Sequence, residues 1–253
     1  MKLTQKTAPA IEPITIDEAK LHLRVDHGHE NALITEMIGT ARQLAEQETK
    51  RVFITQIWTM ILDREKPIIE IPFPPLQSIN SIKTISATET TVDETSAAAQ
   101  KVLKVAATTG FKAAATVIIN RGGIREEERT IDTIQDGISL TMTEVLTSEH
   151  TAAQADRVEI FTLVAKTKYM VDISPNSYSR LQLRTGYNWP IHRNFGSFII
   201  EFTAGYGDAG SDIPAIILQG MKKLIAYLYE NRGATQIPEG IIKFLRGKKI
   251  YRI

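Results

Sequence analysis

Three glycines in the last quarter of the chain carry its most recognisable chemical motif. Gly205, Gly207 and Gly210 form a G-x-G-x-x-G pattern between an alternating apolar run and an apolar helical stripe. In a dinucleotide-binding fold these glycines bring backbone N–H groups to a pyrophosphate, and a parallel second strand presents an acidic residue to the ribose. No such strand is visible after the helix. The motif is interpreted as a glycine-rich turn, and no cofactor is predicted.

Imidazole and carboxylate groups near the N-terminus could bind zinc or iron. The candidates are His22, His27, His29 and Glu30. Because His27-Gly28-His29 lies between two predicted helices, where polar residues and glycine serve as cap and turn, no metal site is predicted.

The densest acidic patch comprises Glu126, Glu127, Glu128, Asp132 and Asp136. Its spacing is not that of a calcium-binding loop, so a solvated hairpin is the favoured interpretation. The patterns H-E-x-x-H and G-x-S-x-G and the P-loop are absent from the sequence. No catalytic residue is predicted, and the chain is not expected to be an enzyme.

The C-terminal tail is rich in basic residues: Lys243, Arg246, Lys248, Lys249 and Arg252. These side chains could contact phosphates or an acidic groove of a protein. The alternative is a tail that only confers solubility.

Composition narrows the class of protein. The chain has 253 residues, of which 43% are hydrophobic and 23% charged, which excludes collagen-like, coiled-coil and broadly disordered classes. It has no cysteine, so disulfides and thiolate chemistry are excluded. The formal net charge is +1, so the charge of the whole chain gives no argument for nucleic-acid binding. Any partner must be inferred from local groups of residues. Neither a membrane span nor the apolar core of a signal peptide is visible, and we expect a cytosolic protein.

Periodicity predicts the elements that position these residues. Thr15 and Glu18 fit a capping box for a helix over about 15–24, and an apolar period near 3.6 predicts a second helix over about 29–50. Alternating residues predict strands near 53–62, 79–85 and 198–203, and a last helix runs from near Pro214 to near Gly233.

The segment 91–166 has a different character. Five or six short β-prone runs are separated by turn signals such as Arg121-Gly122-Gly123 and Asp136-Gly137. This pattern predicts a small barrel or sandwich. The predicted fold class is α+β: a small helical bundle with a few antiparallel strands, plus an inserted all-β, barrel-like or sandwich module.

Four separated blocks occur in an order that resembles the head–tail connector family of tailed bacteriophages, also called head-completion or adaptor proteins. The blocks are PITIDEAKLHLRV and the helix after it, Trp189-Pro190, the strand ending Glu201-Phe-Thr-Ala-Gly-Tyr-Gly207, and the helix ending Tyr229-Glu-Asn-Arg232. The resemblance covers about 1–90 and 167–253. It implies a structural protein without catalysis, whose protomers form a ring, commonly of twelve, that joins the portal to the tail.

The resemblance also implies partners and a location. We expect contacts with other copies, with the portal and with tail or stopper proteins, non-specific passage of DNA through the lumen, and no membrane contact. The expected location is the head–tail junction of the virion, after assembly in the host cytoplasm. The terminal segment is expected to reach the portal, which makes these residues candidates for partner binding: Lys243, Phe244, Leu245, Arg246, Lys248, Lys249, Tyr251 and Arg252.

Subunit contacts are predicted on exposed residues of the early helices and of the strands near 53–62 and 198–203. Trp189, Phe195 and Tyr206 are further candidates, because large aromatic residues in or beside loops are enriched at interface cores. Local packing against the neighbouring strand is the alternative for all three.

The segment 91–166 departs from the family pattern, because typical short members lack it. We therefore predict a connector-like domain formed by 1–90 and 167–253, with 91–166 as an inserted domain that decorates the ring, adds a tail contact or only stabilises the fold. An alternative function is a nucleic-acid-binding adaptor that uses the β module and the basic tail. An enzyme built around the glycine turn would require nucleotide binding, which is not expected.

Overall fold

The computed structural model describes residues 1–233 and 236–247. The α-helices in this part are α1 Ile16–Leu23, α2 Asn31–Thr49, α3 Ala215–Glu230 and α4 Glu239–Arg246. The strands are β1 Lys2–Thr7, β2 Gln56–Leu62, β3 Ile69–Ile71, β4 Leu76–Thr91, β5 Val102–Lys104, β6 Thr116–Ile119, β7 Glu127–Gln135, β8 Ser139–Met142, β9 Arg157–Leu163, β10 Tyr169–Asp172, β11 Ser179–Leu183 and β12 Phe198–Ala204. Short 3₁₀ turns lie at Ala152–Gln154, Lys166–Lys168 and Gly210–Asp212.

Local signals set the first two helices. The Thr15 hydroxyl accepts a hydrogen bond from Glu18 N at 3.2 Å, and the Glu18 carboxylate accepts from Thr15 N at 3.0 Å. This is the predicted capping box. Helices α1 and α2 both end at a residue in the left-handed conformation, Arg24 and Lys50, as helices commonly do.

The helices pack on one another at one end of the molecule. Ile34 and Ile38 of α2 lie against Met221 and Leu224 of α3, and Leu245 of α4 joins the same buried cluster. The apolar period predicted for α2 and α3 therefore corresponds to their buried faces.

One long antiparallel sheet organises the rest of the chain. Its strand order is β1-β2-β12-β4-β9-β6-β7-β8-β5. A second sheet, in the order β10-β11-β3, packs on the first through a core that includes Ile71, Leu181, Ile200 and Phe202. The α+β class predicted from the sequence is confirmed.

The segment 91–166 contributes β5 to β9 and has a hydrophobic cluster of its own, which includes Leu103, Val117, Ile131 and Leu140. Over the described residues the named strands form no closed barrel, and the barrel-like or sandwich form predicted for this segment is not confirmed. Because β4 pairs with both β12 and β9, the strands of the segment extend the large sheet. An isolated bridge from Val92 to Val105 links β5 back toward β4.

The domain boundaries stay a prediction that a deletion can test. Val92 N donates to Asp156 O at 2.9 Å across the β4–β9 pair, so an Asn-Gly turn in place of 93–155 would join the strands as a two-residue hairpin. We expect this variant to fold with one cooperative thermal transition, at a lower midpoint because Ile85 and Phe161 lose their contact with Ile118. Circular dichroism melting checks this; loss of the helical signal would show that the segment is not a separable insertion.

Candidate functional site

The glycine motif forms a turn packed against the backbone between α2 and β2. A Cβ at Gly205, whose φ is +133°, would lie 2.8 Å from the Ile54 carbonyl, and a Cβ at Gly210 would lie 2.3 Å from Pro13 O. The N–H of Gly205 donates to Pro75 O at 2.9 Å, and that of Tyr206 donates to Phe53 O at 2.8 Å. Because these N–H groups are already hydrogen-bonded inside the protein, the predicted glycine-rich turn describes this segment better than a phosphate-binding loop does.

The histidines near the N-terminus are not gathered around a common point. The rings of His27 and His29 are 5.7 Å apart, and the Glu30 carboxylate accepts from the Arg232 guanidinium at 2.5 Å and from the Tyr229 hydroxyl. Within residues 1–233 and 236–247, no three His, Asp or Glu side chains are arranged to hold a metal ion.

One member of the acidic patch is buried. Glu127 is 6% exposed and lies 2.5 Å from Nε2 of the fully buried His150, whose Nδ1 is 3.0 Å from Asp156. Burial alone would raise the pKa of the Glu127 carboxyl, but hydrogen bonds from Thr147 and His150 hold that pKa below its usual range. The expectation of a solvated hairpin is wrong for Glu127. The cluster fixes the loop after β8 onto β7.

The predicted partner-binding residues that the structure describes lie on α4 and are mostly engaged. Leu245 is 2% exposed and packs over Gly220, where a Cβ would come within 2.6 Å of it. Arg246 pairs with Glu48 of α2 at 2.9 Å. Lys223 Nζ lies 4.2 Å from the Phe244 ring centroid.

Lys243 is exposed and pairs with Glu239 of its own helix at 3.4 Å. The candidates Lys248, Lys249, Tyr251 and Arg252 lie outside the described residues. Partner binding by α4 stays a prediction.

Leu245 is the side chain whose burial attaches α4 to the helical core. We expect Leu245→Ala to increase hydrogen exchange of the α4 amides with little change in α2 and α3, because α4 is short and terminal and loses its buried apolar contact. Lys243→Ala on the exposed face is the matched control and should leave exchange unchanged. Equal protection of α4 in both variants would show that other contacts attach the helix.

The aromatic candidates lie in two places. Trp189 is half-buried, with its ring centroid 5.1 Å from that of Phe198, and Tyr206 is half-buried below the Arg51 guanidinium at 6.0 Å. Phe195 is 77% exposed. Trp189 and Phe195 belong to one loop, residues 184–197, whereas Tyr206 packs against the helical core. The structure thus shows local packing for Trp189 and Tyr206 and leaves Phe195 available for contacts.

A buried charge cluster of Glu159, Arg121 and Arg193, called the Glu159 anchor below, fixes this loop to the sheet. The Glu159 carboxylate of β9 lies 2.5 Å from Arg121 Nε and 2.6 Å from Arg193 Nη1. Arg193 N also donates to Ile85 O at 3.0 Å. Burial alone would raise the pKa of the Glu159 carboxyl, but the guanidinium groups of Arg121 and Arg193 hold that pKa below its usual range.

Two large apolar side chains are exposed on the loop that is fixed in this way: Ile191 at 92% and Phe195 at 77%. The Gly196 N–H donates to Asp63 at 3.1 Å, and the Ser197 hydroxyl donates to the Asp63 carbonyl at 3.0 Å. Large exposed apolar side chains mark an interaction surface when they form one patch, so Ile191 and Phe195 are candidates for such a surface. Phe195 could be predicted from the sequence as a large aromatic residue in a loop, but Ile191 could not, because nothing in the sequence pairs Glu159 with Arg193.

Replacement of Glu159 gives a pH-dependent test of the anchor. A carboxyl with a lowered pKa stabilises the folded state above its unfolded pKa of about 4.3, and this contribution is lost as the pH falls through the folded pKa. We expect Glu159→Gln to reduce the free energy of unfolding at pH 7 by about 2 kcal/mol, with a smaller difference from the wild type below about pH 4. Urea unfolding at several pH values measures it; a difference independent of pH would contradict the assignment.

The fold is similar to that of chains in the neck and virion of gene transfer agent (GTA) particles. The full chain aligns with 97% of a chain from "Neck of empty GTA particle computed with C6 symmetry" at a TM-score of 0.62 and 17% identity. It aligns with 97% of a chain from "Virion of native gene transfer agent (GTA) particle" at 0.60 and 19%, and with 97% of a chain from "Neck of native GTA particle computed with C12 symmetry" at 0.57 and 16%. At these identities the likeness establishes the fold.

The sequence profile described as phage gp6-like head–tail connector protein matches residues 13–121. This part of the chain is therefore similar to the head–tail connector family, which is the family that the sequence resembled. The match spans the capped helices, β2 and β4 and ends inside the segment 91–166. No curated protein matches the sequence significantly. Over the described residues, no helix is both long and apolar enough to cross a membrane.

Proposed function

We propose that this protein is a structural connector of a tailed phage or prophage, which assembles as a ring, joins the portal to the tail and surrounds the passing DNA without catalysis. The observation that carries the proposal is the agreement between the family profile and the fold: the profile matches 13–121, and the full chain aligns with neck chains described with C6 and C12 symmetry. The proposed location is the head–tail junction of the virion.

Ring closure requires two different surfaces on each protomer, because a cyclic assembly is built from head-to-tail contacts. We assign one of them to the exposed apolar side chains of the loop 184–197, Ile191 and Phe195. The Glu159 anchor holds this loop in one conformation, which reduces the entropy lost on binding. A neighbouring copy that covers the two side chains would remove them from water.

The helical end is assigned to the portal. There α4 presents its charged outer face while Leu245 keeps it on α3. The terminal segment is predicted to reach the portal. Because Leu245 is buried against α3, it can contact the portal only if α4 leaves α3. Docking would then replace the contact of Leu245 with α3 by a contact with the portal.

The absolute mass of the wild-type and variant proteins in solution tests both ring formation and the assigned contact surface. We expect the wild-type protein to form a closed species of roughly a dozen 28.2 kDa subunits, alone or on added portal. The double variant Ile191→Ser/Phe195→Ser should stay a folded monomer, because it removes the apolar contact and leaves the anchor. Multi-angle light scattering over a concentration series, with negative-stain images, measures both.

Ile138→Ser is the control. Ile138 is also exposed, but it lies in the turn between β7 and β8, away from the turn between β6 and β7 that contacts the loop 184–197. Its substitution should leave assembly unchanged. Assembly by the double variant, or its loss in the control, would contradict the assignment of the loop; a wild-type chain that stays monomeric with portal present would contradict the connector function.

A further inference from the structure

A groove lies between the segments 65–67 and 182–189. Its charged lining residues are Lys66, Arg184 and one acid, Glu65. Most of the exposed lining residues are polar or charged, and the large apolar residues Leu183 and Trp189 are half-buried. Protein–protein interfaces usually have an apolar core, so this groove is poorly suited to a protein partner.

Basic side chains outnumber acidic ones around this groove. The segments 63–67, 164–168 and 182–189 hold five basic and two acidic residues, a net charge of +3, whereas the whole chain has +1. Asp63, one of the two acids, lies 3.7 Å from the terminal amino group and accepts from Gly196 N. No basic member of the set is ion-paired with a residue that the structure describes: Arg64, Lys66, Lys166, Lys168 and Arg184.

Backbone contacts keep these basic residues close together. Arg184 N donates to Lys168 O at 2.9 Å, so Arg184 and Lys168 are neighbours at the start of the β10–β11 pair. Lys166 and Lys168 share one 3₁₀ turn. Arg184 Nε donates to Tyr169 O at 3.3 Å, which holds this guanidinium group beside the groove.

From this arrangement we infer that the groove binds the phosphate backbone of nucleic acid without reading its sequence. Exposed basic residues that repel one another gain free energy when they neutralise phosphates and release condensed counterions. The Tyr187 hydroxyl and the Asn188 amide can add hydrogen bonds to phosphate oxygens. The inference deepens the proposed function, because DNA that passes through a connector would meet such a surface.

Binding of labelled duplex DNA to the full-length protein tests the inference. We expect fluorescence anisotropy to show binding at about 50 mM salt that weakens as salt rises, equally for two duplexes of unrelated sequence. Lys66→Ala/Arg184→Ala should weaken binding and reduce the slope of log K against log salt by about 2, one for each lost phosphate contact. Lys101→Ala/Lys112→Ala, which removes the same charge from exposed positions of the segment 91–166, should bind as the wild type does.

Three results would overturn the inference: no binding by the wild type, an equal loss in the control variant, or displacement of DNA by a poly-glutamate peptide of equal charge at equal concentration. The last would indicate an acidic protein partner. Light scattering on the same samples separates the two proposals. A ring that does not bind duplex DNA contradicts only the groove, whereas DNA binding by a protein that never assembles contradicts only the connector.

Discussion

The register of β4 is the constraint on which the rest of the structure depends. This strand runs for 16 residues from Leu76 to Thr91, pairs with β12 along its first half and pairs with β9 along its second half, with a shift of register within each pair. Ile79 and Ile82 enter the core shared with the three-stranded sheet, while Ile85 packs with Phe161 and Ile118 on the other face. A slip by one residue would exchange these faces, so the pairing of β4 positions the core between the two sheets and the segment 91–166 together.

The exposed loop 184–197 depends on that same junction. Its anchor residue Arg193 bonds to Ile85 of β4 through the backbone and to Glu159 of β9 through the side chain. Glu159 is also held by Arg121, which follows β6. Removal of either guanidinium would leave a buried carboxylate with fewer partners, which is costly in a medium of low polarity. The segment 91–166 therefore supports the loop as well as extending the sheet.

Local features of the sequence predicted a large part of the fold. The capping box at Thr15 and the apolar period of α2 are signals within one element, and both helices end within two residues of their predicted bounds. The alternation of side chains over 198–203 likewise predicted β12. The barrel-like or sandwich form of the segment 91–166 is not confirmed, because closure depends on which strands become neighbours, and no pattern within a strand decides that.

The interaction sites could be predicted only in part, for the same physical reason. Phe195 was recognisable as a large aromatic in a loop, but its exposure depends on the anchor between Glu159 and Arg193, 34 positions apart in the sequence. Burial of Glu127 against His150 joins positions 23 apart. The groove combines two segments, 65–67 and 182–189, whose charges look unremarkable one by one. Each of these sites arises from strand pairing rather than from a motif.

A structure of the assembled particle by electron cryomicroscopy would show whether the loop 184–197 forms the contact between subunits. We expect a closed ring in which Ile191 and Phe195 of each protomer are buried against the neighbouring copy, with Glu159 bound to Arg121 and Arg193 in every subunit. A ring in which both side chains remain exposed to solvent would contradict the assigned contact surface, and the absence of any closed assembly in the presence of portal would contradict the connector function.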